Sequence, residues 1–189
     1  MDADLAALWS EILDRLGDAA IMPGHRMRFV TIATTAADTT PRARMVVLRT
    51  CATDPLSIDF YTDIRSGKWA EIAANGAVEL LAWDPEDRVQ LRLTGVGTCH
   101  TANATARLAW DGLRVESRNL WRQAQIPGQT IADPHDPPPL RGDDEAYADF
   151  GVVRLGVERA EYLHLHMSGQ LRAAFTAAPD GLRGMWLAP

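Results

Sequence analysis

Leu5, Leu8, Trp9, Ile12, Leu13 and Leu16 recur at three- and four-residue intervals, and the pattern stops at Gly17. This spacing predicts an amphipathic helix over residues 3–16 with a glycine C-cap and its apolar stripe packed on the rest of the chain. After Pro23-Gly24 the period changes. Phe29 to Thr35, Arg44 to Thr50, Ser57 to Thr62, Val78 to Trp83 and Val89 to Thr98 are short β-rich runs, which predict five strands joined as a meander. Between the third and fourth runs, Ser66 is placed to cap a short helix with Trp69, Ile72 and Ala73 on one face, ended by Asn75-Gly76. A second helix is expected from Thr101, carrying Leu108 and Trp110. The stretch 125–144, with Pro127, Pro134 and Pro137 to Pro139, reads as a loop. Strand pattern resumes at Phe150 with Val152, Val153, Leu155 and Val157, continues through Tyr162 to His166, and ends near Leu171 to Thr176 and Trp186-Leu187. One-sided strands with short connections and few helices favour a mainly β chain with flanking helices, a closed or nearly closed antiparallel barrel, over a doubly wound α/β fold.

Composition narrows the functional classes more than the fold. With 189 residues, 47% hydrophobic and 23% charged, the chain is sized for a single domain spanning 1–189. A formal net charge of −6 disfavours general binding to nucleic acid or an anionic membrane, yet leaves room for a local phosphate site. Cys51 and Cys99 stand apart with no CxxC spacing, so neither a disulfide framework nor a cysteine zinc site is expected. No apolar run approaches the roughly 20 residues of a membrane span, and Asp2 and Asp4 do not make a secretory n-region. The expected location is cytoplasmic.

Three groups of residues carry candidate chemistry. Pro41 to Arg49 is a strand with Arg42, Arg44 and Arg49 set among apolar residues. Guanidinium forks suit a phosphate, while arginines at strand ends can equally snorkel to solvent. Arg44 and Arg49 have opposite parity, so either the strand bulges or the two serve different ligands or subunits. Phe60 to Lys68 runs from a strand into a helix N-terminus, where backbone amides, the Ser66 hydroxyl and the Lys68 ammonium would favour a phosphate. The plainer reading is a serine cap followed by a surface lysine. Arg88, Gln90 and Arg92 alternate along one further strand and share a face.

In this order and spacing the three groups resemble the pyridoxamine 5′-phosphate oxidase-like family of FMN-binding split barrels. The correspondence runs from about Phe29 to Gly95, and is similar to the subgroup with a Thr-Asp-x-Arg-Ser-x-Lys segment, here Thr62 to Lys68. The region Arg107 to Trp121, the strand pair Val157 to Leu165 and the ending Trp186 to Pro189 add weaker similarity. The resemblance implies an FMN-dependent oxidoreductase that binds FMN between the subunits of a homodimer. It implies that Arg44, Met45, Val46 and Val47 line the flavin, that Tyr61, Thr62, Ser66 and Lys68 hold the ribityl phosphate, and that Gln90 meets the isoalloxazine edge. Arg172 is the best late counterpart of a flavin-contacting arginine, and Arg49 stands where the oxidase carries a substrate-binding lysine.

Some family features are changed. Gly67 replaces the arginine of a Ser-Arg-Lys triplet, with Arg65 nearby as a possible substitute charge; Leu163 replaces a flavin-stacking tryptophan; and no Arg-x-His clamp is evident around Met167 to Arg172. Pyridoxamine phosphate is therefore expected to be a poor substrate. The competing readings are a non-catalytic flavin-binding or storage protein, or the same fold holding haem or a deazaflavin. His164 and His166 share a strand face but lack a third ligand, so no metal site is expected. Gly95-x-Gly97 is too short a fragment for a dinucleotide fingerprint, the Asp143 to Glu145 run reads as a solvated loop, and the six tryptophans are assigned to core or interface.

Overall fold

The computed structural model describes residues 1–136, 138–178 and 181–189. Helix α1 (Ala3–Ile21) is capped by Asp2, whose carboxylate accepts from the Leu5 amide at 2.8 Å. The helix does not stop at residue 16 but runs past Gly17, because Ala19 and Ala20 continue the buried stripe of Leu5, Leu8, Ile12 and Leu16. A mid-helix glycine costs about 1 kcal/mol relative to alanine, which another turn of hydrogen bonds and apolar burial can offset.

A 3₁₀ turn (Arg26–Arg28) then leads into β1 (Phe29–Thr35), β2 (Pro41–Thr53), β3 (Leu56–Asp63), α2 (Gly67–Ala74), β4 (Ala77–Asp84) and β5 (Val89–His100). Three short helices follow, α3 (Ala104–Asp111), α4 (Val115–Arg118) and α5 (Asp143–Ala148), and the chain ends with β6 (Phe150–His166), β7 (Gly169–Ala178) and β8 (Gly181–Leu187). The sheet order is β3-β2-β1-β4-β5-β6-β7-β8, with β3 also paired to β6. Strands β1 to β6 thus close an antiparallel barrel, and β7 and β8 extend the sheet from it. The expected five-strand meander is broken at one point: β4 lies beside β1, not β3. That leaves the outer edge of β3 to pair with β6, so closure removes an exposed sheet edge.

The late pattern from Phe150 through His166 is one continuous strand. β6 is 17 residues long and pairs with β5 along one edge, while its first part takes β3 and its second part takes β7 on the other. Gly95 sits at a register shift between β5 and β6, where an added Cβ would lie 1.9 Å from the Gly156 carbonyl oxygen. This close backbone approach accounts for a glycine that a dinucleotide motif does not.

Alternate residues of the barrel strands, among them Ile32, Leu48, Phe60, Leu80, Leu91 and Leu155, fill the interior together with the stripe of α1. A second cluster of Trp110, Trp121, Ala146, Phe150 and Val152 fixes the helical segment to the outside of the barrel. Its rings meet edge to face, as for Trp121 and Phe150 at 5.0 Å between centroids, the arrangement aromatic quadrupoles favour. The boundaries here differ from expectation. β5 continues to His100, and the following helix begins only after Asn103, whose side chain accepts from the Ala106 amide. The proline-rich stretch is irregular up to Gly142, with Pro137 outside the described residues. Asp143 opens α5, where it accepts from Arg118 at 3.0 Å and from Arg122, so it is a tether and not a solvated loop residue. Ala73 faces solvent, leaving Ile72 as the buried anchor of α2 with Trp69 partly buried beside it.

Candidate functional site

The residues singled out from the sequence fall into three neighbourhoods. The first is at one end of the barrel, where β3 turns into α2. Thr62 points inward and lies 3.2 Å, oxygen to oxygen, from the Ser66 hydroxyl; the Lys68 ammonium donates to Thr62 Oγ1 at 3.1 Å. Ser66 occupies the N-cap position of α2, yet its hydroxyl donates to the Asp63 carbonyl at 2.6 Å and does not cap the helix. Arg44, on the inner face of β2 with Val46 and Leu48, donates to Thr34 Oγ1 and pairs with Glu71 of α2. Burial and the neighbouring Arg44 charge push the Lys68 pKa below its ordinary value. Burial alone would raise the pKa of Glu71, but hydrogen bonds from Thr34 and Arg44 outweigh it and the net shift is downward. Two cations, Arg44 and Lys68, and three hydroxyls, those of Thr34, Thr62 and Ser66, thus converge near a helix N-terminus with one carboxylate, a set that fits a phosphate dianion.

The second neighbourhood is the outer face of the sheet. Phe29 pairs with Val47, Thr31 with both Met45 and Leu81, Trp83 with Gln90, and Gln90 in turn with Leu163, which pairs with Arg172. Paired residues share a face, so Met45, Val47, Gln90 and Arg172 all look outward, and Phe29, Met45 and Trp83 are well exposed around them. Val46 does not join them: it faces the core and is 8% exposed. Arg172 is held by Glu161 at 2.8 Å, within a network in which Glu161 also accepts from Arg159 and Glu79 accepts from Arg92.

The third neighbourhood is a cleft of about 520 Å³ between the outer side of β2 and β3 and the helix α3. Arg49 and Tyr61 line it, the guanidinium carbon 5.5 Å from the ring centroid, so Tyr61, grouped from the sequence with the phosphate residues, lies on the opposite side of β3 from Thr62 and outside the barrel-end cluster. Arg44 and Arg49 therefore lie on opposite sides of β2, and the strand also bulges: Leu48 pairs with Phe60 and Thr50 with Asp59, so Arg49 is the extra residue. Arg65, weighed as a substitute phosphate ligand, is otherwise engaged. It chelates Asp63, contacts Asp149 at 3.1 Å and donates to the carbonyls of Gln123 and Ala124, tying the helical segment to the β3–α2 turn.

The family model described as pyridoxamine 5′-phosphate oxidase, FMN-binding domain, matches residues 6–101. The chain belongs to this family. The match takes in the whole barrel-end cluster together with Arg49 and Gln90, and stops short of Arg172. Among solved structures, a pyridoxamine 5′-phosphate oxidase-related FMN binding protein from Nostoc punctiforme superposes with a TM-score of 0.77 at 20% identity, covering 100% of this chain and 99% of that one. PhzG from Burkholderia lata, solved with tetrahydrophenazine-1-carboxylic acid, gives 0.72 at 16% identity, covering 98% and 91%. A Clostridium acetobutylicum protein related to general stress protein 26 gives 0.55 at 12% identity, covering 91% and 95%. At these identities the superpositions speak to the fold, which is the six-stranded barrel of the oxidase family. No curated protein matches the chain.

Five participants had escaped the sequence reading. Glu71 and Thr34 complete the barrel-end cluster; they reach Arg44 from α2 and β1, a convergence with no local signature. Arg28 and the bidentate pair Arg154–Asp59, with both bonds at 2.8 Å, line the cleft. Asp59 did carry a signal: a carboxylate inside the run Ser57 to Thr62, 5% exposed, calls for a cation across the sheet. His164 and His166 have ring centroids 5.5 Å apart, and His166 Nδ1 is 2.6 Å from the Ser168 hydroxyl. Among the described residues no group of three or more His, Cys, Asp or Glu side chains forms a candidate metal site, and no helix is long and apolar enough to cross a membrane.

Proposed function

We propose that this chain is an FMN-dependent oxidoreductase that binds the flavin phosphate with Arg44, Thr62, Ser66 and Lys68. The observation that carries the reading is the barrel-end cluster, where the Lys68 ammonium has a hydroxyl for a neighbour and no carboxylate within ion-pair distance among the described residues. A dianionic phosphate supplies the missing countercharge and takes up the hydroxyl and amide donors of the β3–α2 turn. Bound FMN would supply hydride and electron transfer. The protein's part is to fix the phosphate at the turn, to present Met45, Val47 and Gln90 beside the ring system, and to hold the substrate against Arg49.

One barrel leaves the flavin-facing residues on an open outer face, so the site is completed in this reading by a second copy, with Phe29, Met45 and Trp83 buried in the contact. Sedimentation should find a dimer; a monomer that still holds FMN tightly would overturn the shared site. The phosphate assignment is tested by titrating purified protein with FMN and with riboflavin while following flavin fluorescence. FMN is expected to bind at least about tenfold tighter, the least that one charge-assisted hydrogen bond implies. Equal affinities would remove the phosphate from this cluster.

A further inference from the structure

β6 pairs with β3 as far as Gly156 and takes up β7 only at Arg159, so on that edge Val157 and Glu158 have no strand beside them. The β2–β3 hairpin and the β7–β8 hairpin stand on either side of the gap, and a cavity of about 370 Å³ opens there. Trp9 of α1, Pro55, Leu56, Val157, Phe175 and Leu182 give it an apolar lining, with the Trp9 and Phe175 ring centroids 5.0 Å apart. Small-molecule sites run from roughly 300 to 1,000 Å³, so the cavity suits a compact ligand. It is separate from the phosphate cluster: Leu56 and Asp63 are the two ends of β3, about 23 Å apart at about 3.3 Å per residue.

The charge around this cavity is one-sided. Asp54, in the β2–β3 turn, and Glu158 are exposed, and neither side chain has an ion pair or hydrogen bond among the described residues. The cation of the lining, Arg159, is already held by Glu161 at 2.8 and 3.0 Å. Glu158 owes its place to a bulge: Thr94 of β5 pairs with Arg159 and Gly95 with Val157, which leaves Glu158 as the extra residue of β6. A bulge re-aims a side chain, and this one delivers a carboxylate to the gap where β6 changes partner.

We propose that this cavity is a second binding site, for a small organic ammonium ion whose apolar body lies against Trp9 and Phe175 and whose charged head meets Asp54 and Glu158. The two carboxylates supply the countercharge, and the aromatic rings attract an adjacent cation as well as burying hydrocarbon. A carboxylate- or phosphate-headed molecule of the same shape meets two like charges instead, so the site selects by sign. It stands whether or not the chain takes up FMN.

The test uses 2-phenylethylamine, neutral 2-phenylethanol and anionic 3-phenylpropionate, titrated calorimetrically into the purified full chain with and without FMN. The amine is expected to bind at least about fivefold tighter than the alcohol, with the propionate weakest, and equally well in the presence of FMN. Replacing both rim charges, Asp54→Asn with Glu158→Gln, should bring the amine to within about twofold of the alcohol while the alcohol affinity and the melting temperature stay put, since both positions are exposed. Ala177→Phe, at an exposed position of the lining, should block all three ligands by filling the cavity. If that protein fails to fold, the two rim substitutions decide. No amine binding, equal binding of the three compounds, a rim-neutralised protein that keeps its preference for the amine, a folded Ala177→Phe protein with unchanged amine affinity, or displacement of the amine by FMN would each overturn the site.

Discussion

The arginines of β5 to β7 and those at the cleft are the same residue on the same barrel, in opposite states. Arg92, Arg159 and Arg172 are each satisfied by Glu79 or Glu161 at about hydrogen-bond length, and together they stitch neighbouring strands. Among the described residues Arg28 and Arg49 have no carboxylate partner, although Asp59 is at hand and goes to Arg154 instead. A paired guanidinium on a sheet face is satisfied within the fold. An unpaired, half-buried one keeps binding capacity in reserve. The barrel-end cluster sits between these extremes: Arg44 is shared with Glu71, whereas Lys68 has only a hydroxyl, Thr62, and no ion pair among the described residues.

That contrast can be broken by experiment. The largest effect is expected at Lys68, where replacement by methionine should weaken FMN by about 1.5–3 kcal/mol with little change in melting temperature. Arg44→Ala should cost FMN affinity on the same scale and also stability, since it strands Glu71. Fluorescence titration of both variants decides the matter, and unchanged affinity in each would mean that unpaired charge is a poor guide here. Next comes substrate choice. A guanidinium at Arg49 cannot reproduce the geometry of a lysine, and a misplacement of about 1 Å costs on the order of 100-fold in rate. Pyridoxamine phosphate is expected to release peroxide with kcat/KM below about 10⁴ M⁻¹s⁻¹, the lower edge of common enzyme values.

The paired network should answer in stability. Glu161→Gln removes the charge that Arg159 and Arg172 share, and is expected to cost about 1 kcal/mol in denaturant unfolding, most of it lost in high salt. The smallest effect is its pH dependence. The Arg172 hydrogen bond chiefly, with Arg159 and Arg92, holds the Glu161 pKa below the usual carboxylate range. A depressed carboxylate contributes stability that is present above its unfolded value, about 4.3, and is lost as pH falls through the folded value. The stability gap between the parent and Glu161→Gln should therefore shrink as pH drops below about 4, and a gap that widens there would contradict the pairing.

How much of this was readable from residues alone depended on whether the information was local. The β runs, the barrel class and the strand-to-helix turn at Thr62 to Lys68 followed from period and turn chemistry. The end of α1 did not, because burial of Ala19 and Ala20 overrode the stop signal of Gly17. Strand order was illegible at β4, since its choice of β1 over β3 is made by closure with β6, more than 60 residues further on in the chain. The site divided along the same line. Arg44, Thr62, Ser66 and Lys68 assemble from two contiguous segments, whereas Arg28 enters the cleft from a turn whose sequence, Arg26-Met27-Arg28, looks like an ordinary solvated patch. Val46, assigned with its neighbours, is carried into the core by simple alternation along β2.

The extra residue in β2 bears on how such a protein can change over generations. Cys51 pairs with Ile58 on the interior side just as Leu48 pairs with Phe60, so the core sees an unbroken alternation across the bulge. The outer wall of the cleft, by contrast, receives two adjacent side chains, Arg49 and Thr50, where a regular strand would present one. Gaining or losing that residue alters what a ligand meets without disturbing what the interior packs against. The barrel can thus explore new partners at this edge through single-codon insertions and deletions, events that elsewhere along the same strand would turn its inside out.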